Sequence, residues 1–247
     1  MLSDQERLRQ VAQFYDSETK MYDDGYSSLT CKAEDAMVAE ILGRCLQGKV
    51  LDIGAGSGLL CEMMDIDDYV GIELSPRMTE QAKAKYPEQQ FMVADMHRLP
   101  FSNGSFDSAV SIYGPLSYSL TAPALLSEIQ RVVKPGGYIA LMPYTLRVGH
   151  NLEMGGYSTA TEASIPKVFY TAKSLEELLS PLKNVQILGI NYFLNTYTRF
   201  AQAMGLNDNQ SLEIMVDFLQ RENALQQILP AEYARHMIGI GQNSFSK

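Results

Sequence analysis

The residues with the clearest chemical potential are three closely spaced glycines, Gly54, Gly56 and Gly58, which follow the apolar stretch 50–53. Because glycine has no Cβ, the backbone can turn tightly at these positions and approach a ligand closely. A helix pattern follows, and the first turn of a helix presents free N–H groups and a positive dipole end to an anionic or polar group. The segment therefore predicts a site for a nucleotide-like cofactor at the carboxyl end of the first strand of an open α/β sheet.

The spacing of these glycines separates two classes of cofactor site. A dinucleotide fingerprint would place its third glycine at position 59, where this chain has a leucine. An acidic residue also lies two positions before the first glycine, and the string LDIGAGSG (51–58) resembles motif I of the class I S-adenosylmethionine (SAM) dependent methyltransferases. In that family the glycine turn holds the methionine part of SAM. The resemblance implies cofactor contacts from Asp52, Gly54, Ala55 and Gly56.

A second motif of the family ends in Glu73, at the end of a short apolar strand. Ser75 and Pro76 then give a helix-start signal, with serine as the N-cap and proline at the first helical position. A carboxylate accepts hydrogen bonds from both ribose hydroxyls, and the family uses an acid here for that purpose. The alternative is a surface glutamate at a strand end, and the register with motif I favours the ribose role.

Two further motifs extend the resemblance over roughly residues 48–142. A third strand ends in Asp95, the acid that meets the adenine amino group in the family, and Met96 is suited to packing on the ring because methionine is polarizable and adaptable. Segments 105–111 and 132–137 resemble the fourth strand and the Lys-Pro-Gly-Gly turn before the fifth. The remaining cofactor contacts that the resemblance implies are Leu74, Met78 and Ser111.

These residues need a scaffold, and the alternation of strands and helices over 49–142 predicts a parallel sheet with crossover helices. The resemblance implies a doubly wound α/β fold with a mostly parallel seven-stranded sheet. We expect a single domain over 1–247, with an N-terminal helical cap (1–47), a cofactor-binding core (48–143) and two lid or substrate insertions (144–170 and 192–232). The first insertion is too long for an idle loop. The second is helical, and it either covers a substrate or serves as a structural or dimer helix.

Other local patterns predict individual elements. Helices are expected over 4–16 and 33–47, and another over 171–179 with a capping box formed by Ser174 and Glu177. Strands are expected over 185–190 and 236–242. Tyr15 and Tyr22 belong to the N-terminal segment that closes over SAM in many small-molecule methyltransferases, where a tyrosine bonds the cofactor or the substrate. Packing in the core is the alternative for both.

Methyl transfer from a sulfonium is an in-line displacement, so alignment alone can contribute roughly 7–11 kcal/mol at best. A base is needed only if the nucleophile must lose a proton. Segment 111–115 (SIYGP) lacks both the Asn-Pro-Pro-Tyr type of motif found in enzymes acting on adenine or glutamine amides and the acids of metal-dependent catechol-type enzymes. We therefore predict no catalytic metal. The catalytic candidates are Tyr113, on the loop facing the transferred methyl, and His150, in the first insertion.

Two other histidines, His97 and His236, are candidate bases by residue type. His97 follows the adenine segment and has a side chain suited to proton transfer near neutral pH, although a surface position in a polar loop is its simpler interpretation. His236 starts the last strand and is expected to be structural. Three cysteines without paired metal spacing are expected to be small buried thiols.

Composition limits the partners. A net charge of −9 with no basic cluster disfavours nucleic acid. No apolar run approaches the ~20 residues of a membrane span, and the N-terminus lacks signal-peptide features, so a cytoplasmic location is expected. We expect metal-independent methyl transfer from SAM to an O or N atom of a small molecule, with a homodimer possible. A SAM-binding protein that transfers no methyl group and a protein methyltransferase are the alternatives. The sequence leaves the acceptor atom open among O, N, C and S.

Overall fold

A computed structural model describes residues 4–19, 22–146, 165–193, 203–224 and 229–244. Seven strands form one sheet in the order β3-β2-β1-β4-β5-β7-β6. Their bounds are β1 (Lys49–Ile53), β2 (Asp68–Glu73), β3 (Gln90–Val93), β4 (Phe106–Ser111), β5 (Val133–Leu141), β6 (Lys183–Ile190) and β7 (His236–Gln242). The first five strands are parallel, and β7 runs antiparallel to both β5 and β6. The predicted seven-stranded, mostly parallel α/β fold is confirmed.

Eight α-helices are described in these ranges, together with 3₁₀ turns at Pro115–Tyr118 and Ala231–Tyr233. The helices are α1 (Asp4–Glu18), α2 (Tyr22–Gly25), α3 (Leu29–Leu42), α4 (Leu59–Met63), α5 (Pro76–Lys85), α6 (Ala122–Val132), α7 (Ala172–Leu179) and α8 (Asp208–Ala224). The strand order reverses at β1, which has β2 on one side and β4 on the other. Ligands of open α/β sheets bind at such a switch point, outside the carboxyl ends of the strands.

Alternation along the strands divides the core between the two faces of the sheet. Val50 and Val110 belong to the apolar cluster that includes α3, whereas Leu51 and Ala109 belong to the cluster that includes α6 and α7. Successive side chains of a strand point to opposite faces, so both faces of these central strands are buried. Burial on both sides holds the carboxyl edge rigidly in place.

The structure corrects two of the predicted helix starts. Helix α3 spans Leu29–Leu42 rather than 33–47, because Ser28 is its N-cap and accepts a hydrogen bond from the N–H of Cys31. In α7 the N-cap is Thr171, and its capping box pairs Thr171 with Ser174. The predicted box of Ser174 with Glu177 is wrong, because Ser174 already lies within the first helical turn.

The described part of the second insertion packs against α3. Met215 and Leu219 of α8 share an apolar cluster with Met37 and Ile41 of α3. The lid or substrate role expected for 192–232 stays a prediction, as does the alternative of a structural or dimer helix. Among the helices in the described ranges, none has the length and apolarity needed to cross a membrane.

Candidate cofactor and acceptor site

A cavity opens at the carboxyl edge of the sheet, where β1 and β4 diverge. Its wall combines the segments that follow the first four strands with side chains of the N-terminal helices. Its empty volume is about 670 Å³, including the part open to solvent. The lining residues are Leu8, Val11, Tyr15, Tyr22, Gly54, Gly56, Ile72, Glu73, Leu74, Ala94, Asp95, Met96, Ile112, Tyr113, Pro115 and Tyr118.

Most of the site residues expected from the sequence come together in this wall. They are Tyr15, Tyr22, Gly54, Gly56, Glu73, Leu74, Asp95, Met96 and Tyr113. Four others are buried beside the cavity without lining it, namely Asp52, Ala55, Met78 and Ser111. The remaining one, His150, lies outside the described residues. Sequence reasoning missed Tyr118 and the apolar lining residues, because their types suit a protein core equally well.

The glycine turn is fixed against the neighbouring strand by its own backbone. The N–H groups of Gly54 and Ala55 both donate to the carbonyl oxygen of Ile72, each at 2.9 Å. Gly54 has φ +76°, and a Cβ at this position would overlap the ring of Pro115. The backbone thus passes between the cavity and the loop after β4, where only glycine fits.

Glu73 occupies the end of β2 and is tied to the same turn. Its Oε2 accepts the N–H of Gly56 at 3.0 Å, and its Oε1 accepts the N–H groups of Leu74 and Ser75 at 2.7 and 2.9 Å. Burial raises the pKa of Glu73 above its usual value, while these three N–H bonds favour the ionised form. Oε1 thus uses both of its lone pairs, whereas Oε2 keeps one, so the side chain is held in position with acceptor capacity left at Oε2 beside the cavity it lines.

Asp95 ends the segment after β3 and belongs to a chain of polar side chains. Its Oδ1 accepts the backbone N–H of His97 at 2.9 Å, and Nδ1 of His97 lies 2.9 Å from the same oxygen. Nε2 of His97 lies 2.9 Å from the hydroxyl oxygen of Ser119, which is buried. The imidazole ring is therefore mostly buried and bridges two segments, which corrects the simpler interpretation of His97 as a surface residue.

Asp52 has a position different from the one expected of a cofactor ligand. Its side chain is buried, and its Oδ2 accepts a hydrogen bond from the hydroxyl of Tyr69 at 2.8 Å. Burial raises the pKa of Asp52 to about 7, with the charge of Glu73 adding to the rise. The carboxyl group supports the strand beneath the glycine turn instead of facing the cavity.

Met78 and Ser111 are displaced from the cavity for reasons of local structure. Met78 lies in the first turn of α5 with its N–H donating to the N-cap hydroxyl of Ser75, and its side chain is fully buried. Ser111 is the last residue of β4 and is buried. Neither residue lines the cavity.

Tyr113 reaches the cavity from the loop after β4 in an unusual backbone conformation. Its φ is +55°, a region that few residues other than glycine adopt. Its hydroxyl donates to Oδ1 of Asp35 on α3 at 2.6 Å, and its ring meets the ring of His236 edge to face, with centroids 5.6 Å apart. These contacts fix the side chain, and Asp35 is a member of the site region that the sequence did not indicate.

The N-terminal segment closes one side of the cavity with aromatic rings. The hydroxyls of Tyr15 and Tyr118 are 3.1 Å apart, and Tyr22 packs edge-on against Tyr15 with centroids 5.9 Å apart. Two aspartates fasten this segment to the core. Asp16 accepts the Ser75 hydroxyl and the N–H of Arg77, whereas Asp23 accepts the Ser57 hydroxyl and bonds with Gln81 and Lys85.

The part of the chain that the structure describes contains no group of three or more His, Cys, Asp or Glu side chains arranged to hold a metal ion. Metal independence stays a prediction.

Comparisons with known proteins agree with this geometry. Residues 51–141 match a family described as a methyltransferase domain. Demethylmenaquinone methyltransferase of Beutenbergia cavernae is 35% identical over 99 residues, which cover 39% of this chain and 41% of that protein. Sterol 4-C-methyltransferase of Caenorhabditis elegans is 35% identical over 97 residues, covering 35% of this chain and 28% of that protein. The matched region is thus less than half the length of each relative.

The fold extends beyond the matched region. A putative methyltransferase of Haloferax volcanii, solved in complex with the Trm112 methyltransferase activator, superposes with a TM-score of 0.64 at 22% identity. The superposition covers 95% of this chain and 96% of that one. The match over 51–141 thus identifies a methyltransferase domain, and the strand order and the superposition show the Rossmann-like fold of SAM-dependent methyltransferases.

Proposed function

We propose that this protein transfers a methyl group from SAM to an O or N atom of a small molecule, without a metal ion. The observation that carries the proposal is the convergence of the glycine turn, Glu73 and Asp95 at the ends of three adjacent strands around one cavity. SAM, when bound, supplies a methyl group activated on a sulfonium centre. The protein supplies position and a site protected from water.

We assign each part of the cofactor to the residues that follow one strand: the methionine part to the turn after β1, the ribose to the end of β2 and the adenine to the segment after β3. Glu73 accepts the ribose hydroxyls with a carboxylate that three N–H groups already hold in place. Asp95 accepts from the adenine amino group, with Met96 against the ring. The turn at Gly54 and Gly56 borders the space for the methionine part, and both residues have the positive φ that favours glycine.

A small acceptor is favoured by the cavity wall. Apolar and aromatic side chains predominate, and the N-terminal segment covers one side with Tyr15 and Tyr22. With a net charge of −9, the chain carries more acidic than basic residues, which is unfavourable for a nucleic acid substrate. The relatives named above include enzymes whose names specify a quinone precursor and a sterol carbon. A product with a new bond between carbon and the methyl group would therefore show that the acceptor atom is carbon and not O or N.

The first test is calorimetry with S-adenosylhomocysteine on the wild type and on Glu73→Ala. Loss of the charged acceptor is expected to cost roughly 1.5–3 kcal/mol, which is about a 10- to 150-fold weaker affinity. Glu88→Ala is the matched control, because Glu88 is exposed on the segment after α5. Equal affinities for wild type and Glu73→Ala would refute the ribose assignment.

The second test follows transfer directly. Protein incubated with methyl-labelled SAM and a pool of hydroxyl, amine and activated-carbon compounds is expected to give labelled O- or N-methyl products. Tight binding of S-adenosylhomocysteine with no labelled product in any class would favour a SAM-binding protein that transfers no methyl group. Label on an added basic peptide alone would favour a protein methyltransferase.

A further inference from the structure

Asp35 places a carboxyl group against the cavity from a part of the chain that precedes all cofactor motifs. It lies on α3, is half-buried, and its Oδ1 accepts the hydroxyl proton of Tyr113 in a 2.6 Å hydrogen bond. Tyr113 itself lines the cavity. A carboxylate is therefore one hydrogen bond away from a residue of the cavity wall.

The place of this pair in the sheet separates it from the cofactor acids. Asp95 follows β3, and Tyr113 follows β4, which is three strands away in the order β3-β2-β1-β4. Neighbouring strands are spaced by about 4.8 Å, so the two ends of the cavity are roughly 14 Å apart. Asp95 after β3 and Glu73 at the end of β2 are assigned to the adenine and the ribose. The end of the cavity near β4 is therefore where we place the sulfonium methyl group and the acceptor.

The neighbouring carboxylate, Glu34, has a contrasting environment. It is buried and accepts hydrogen bonds from Asn191 at 2.5 Å and from Arg235 at 3.2 Å, with Nε2 of His236 at 3.7 Å. Burial favours its neutral form, but His236 and Arg235 outweigh burial and lower its pKa. The negative charge of Glu34 is thus stabilised by Arg235 and His236, and we assign Glu34 a structural role.

The two adjacent carboxyl groups therefore differ in protonation behaviour. Burial raises the pKa of Asp35 to about 6, opposed by the Tyr113 hydrogen bond and reinforced by the negative charges of Glu34 and Glu62. Cys31 and His236 are the other titratable groups that interact with this pair. Enzymes use pairs of neighbouring acids with different pKa values for acid and base roles, and here the environments of Glu34 and Asp35 produce such a difference.

We propose that Asp35, acting through the hydroxyl of Tyr113, accepts the proton that the acceptor loses during methyl transfer, so the acceptor bears an O–H or N–H group. The inference rests on the function proposed above. The acceptor lone pair forms the new bond to the methyl carbon, and the C–S electron pair goes to sulfur. The acceptor proton passes to the Tyr113 oxygen, and the Tyr113 proton passes to Asp35. Charge and atoms balance without a further reactant.

The first test observes the carboxyl group directly, without turnover. In protein labelled with ¹³C-aspartate, one carboxyl resonance is expected to titrate with a midpoint near pH 6 and to be missing from Asp35→Asn. In Tyr113→Phe this midpoint should rise, because the lost hydrogen bond favours the ionised form. A midpoint that does not move in Tyr113→Phe would overturn the coupling of the two groups.

The second test uses 4-methylphenol and aniline as probe acceptors with methyl-labelled SAM, because both stay neutral and keep their O–H or N–H proton between pH 5.5 and 8. The wild-type rate is expected to fall as pH decreases through 6, and Asp35→Asn should lose about 10²–10³-fold at pH 7 together with this pH dependence. Tyr113→Phe should lose a similar factor, and the double variant should lose no more than either single one. Asp67→Asn is the matched control, since Asp67 is exposed on the loop before β2.

Calorimetry separates this inference from the proposed function. S-adenosylhomocysteine should bind Asp35→Asn within about twofold of the wild type, because Asp35 serves the acceptor. Cofactor binding without methylation of either probe by the wild type would overturn the acceptor class named here and leave the cofactor assignment standing. A wild-type rate in Asp35→Asn would overturn the proton-accepting role, whereas absence of cofactor binding in every variant would refute the proposed function itself.

Discussion

At the scale of single residues, the site depends on carboxyl groups that differ in what surrounds them. Glu73 is held by three N–H groups, Asp35 by one phenol, and Asp52 by one phenol in a fully buried position. The roles we propose for these three carboxyl groups are therefore different: cofactor binding for Glu73, proton transfer for Asp35 and structural support for Asp52. The environment of each group decides its role, because burial favours the neutral form and N–H donors favour the charged one.

Asp52 allows a prediction about stability and pH. An unfolded aspartate ionises near pH 3.9, whereas burial raises the pKa of Asp52 to about 7 in the folded protein. Between these values the folded state binds more protons than the unfolded state, so the free energy of unfolding falls as pH rises. A shift of this size corresponds to on the order of 2–4 kcal/mol, and Asp52→Asn should remove that part of the decline.

Urea denaturation of wild type and Asp52→Asn between pH 4.5 and 8 measures the difference. The gap between the two curves should change through this range and level off above pH 7. Asp68→Asn is the control, because Asp68 is exposed at the start of β2 next to Tyr69, the residue that donates to Asp52. A constant gap between wild type and Asp52→Asn would contradict the raised pKa.

At the scale of elements, the sequence predicts the site best where strand ends determine it. Gly54, Glu73 and Asp95 follow parallel strands, and parallel strands bring their carboxyl ends to one edge. Asp35 and Tyr118 could not be predicted in this way. Asp35 meets Tyr113 across 78 positions only because α3 packs on the sheet in one orientation, and the wall position of Tyr118 depends on a 3₁₀ turn after a left-handed glycine.

Residues hidden behind the cavity show a second limit of sequence reasoning. Asp52 matches the family motif in position, and a motif records spacing without recording which way a side chain points. The alternation along β1 places Asp52 on the same face as Val50, the face packed against α3. Its partner Tyr69 is the second residue of the neighbouring strand β2 and pairs with Val50, so strand register brings the two side chains together.

The N-terminal helices give a prediction at this scale. Asp23 joins α2 to the glycine turn through Ser57 and to α5 through Gln81 and Lys85. Asp23→Ala should release these contacts, at a cost of about 1–3 kcal/mol to docking of the segment. Amide hydrogen exchange should become faster over 7–26, and the affinity for S-adenosylhomocysteine should fall about 3- to 10-fold because Tyr15 and Tyr22 lose their support.

Asp24→Ala provides the matched control, because Asp24 is the adjacent aspartate and its side chain is exposed. Binding of S-adenosylhomocysteine should slow exchange over the same segment in the wild type. Identical exchange in Asp23→Ala and wild type would show that other contacts hold the cap.

At the scale of the whole molecule, catalysis is expected to need two ligands and no metal ion. Alignment of acceptor, methyl and sulfur supplies most of what the reaction requires. The methylation rate of a probe acceptor that the protein accepts as a substrate should therefore be unchanged in EDTA. A sample with magnesium added back is the comparison. Loss of turnover in EDTA that magnesium restores would contradict this expectation and would direct attention to residues outside the described ranges.

The order of the strands also affects how the chain is made. β7 is the last strand in the sequence, yet it lies between β5 and β6 and supplies the pairing of β6 to the sheet. During synthesis from the N-terminus, β6 emerges some fifty residues before the strand that joins it to β5, and strands with unpaired edges associate readily with other chains. Strands β1 to β5, which border the cavity, can pair before β6 and β7 have been synthesised. We therefore expect the cavity region to fold first and the β7–β6 edge of the sheet to form last.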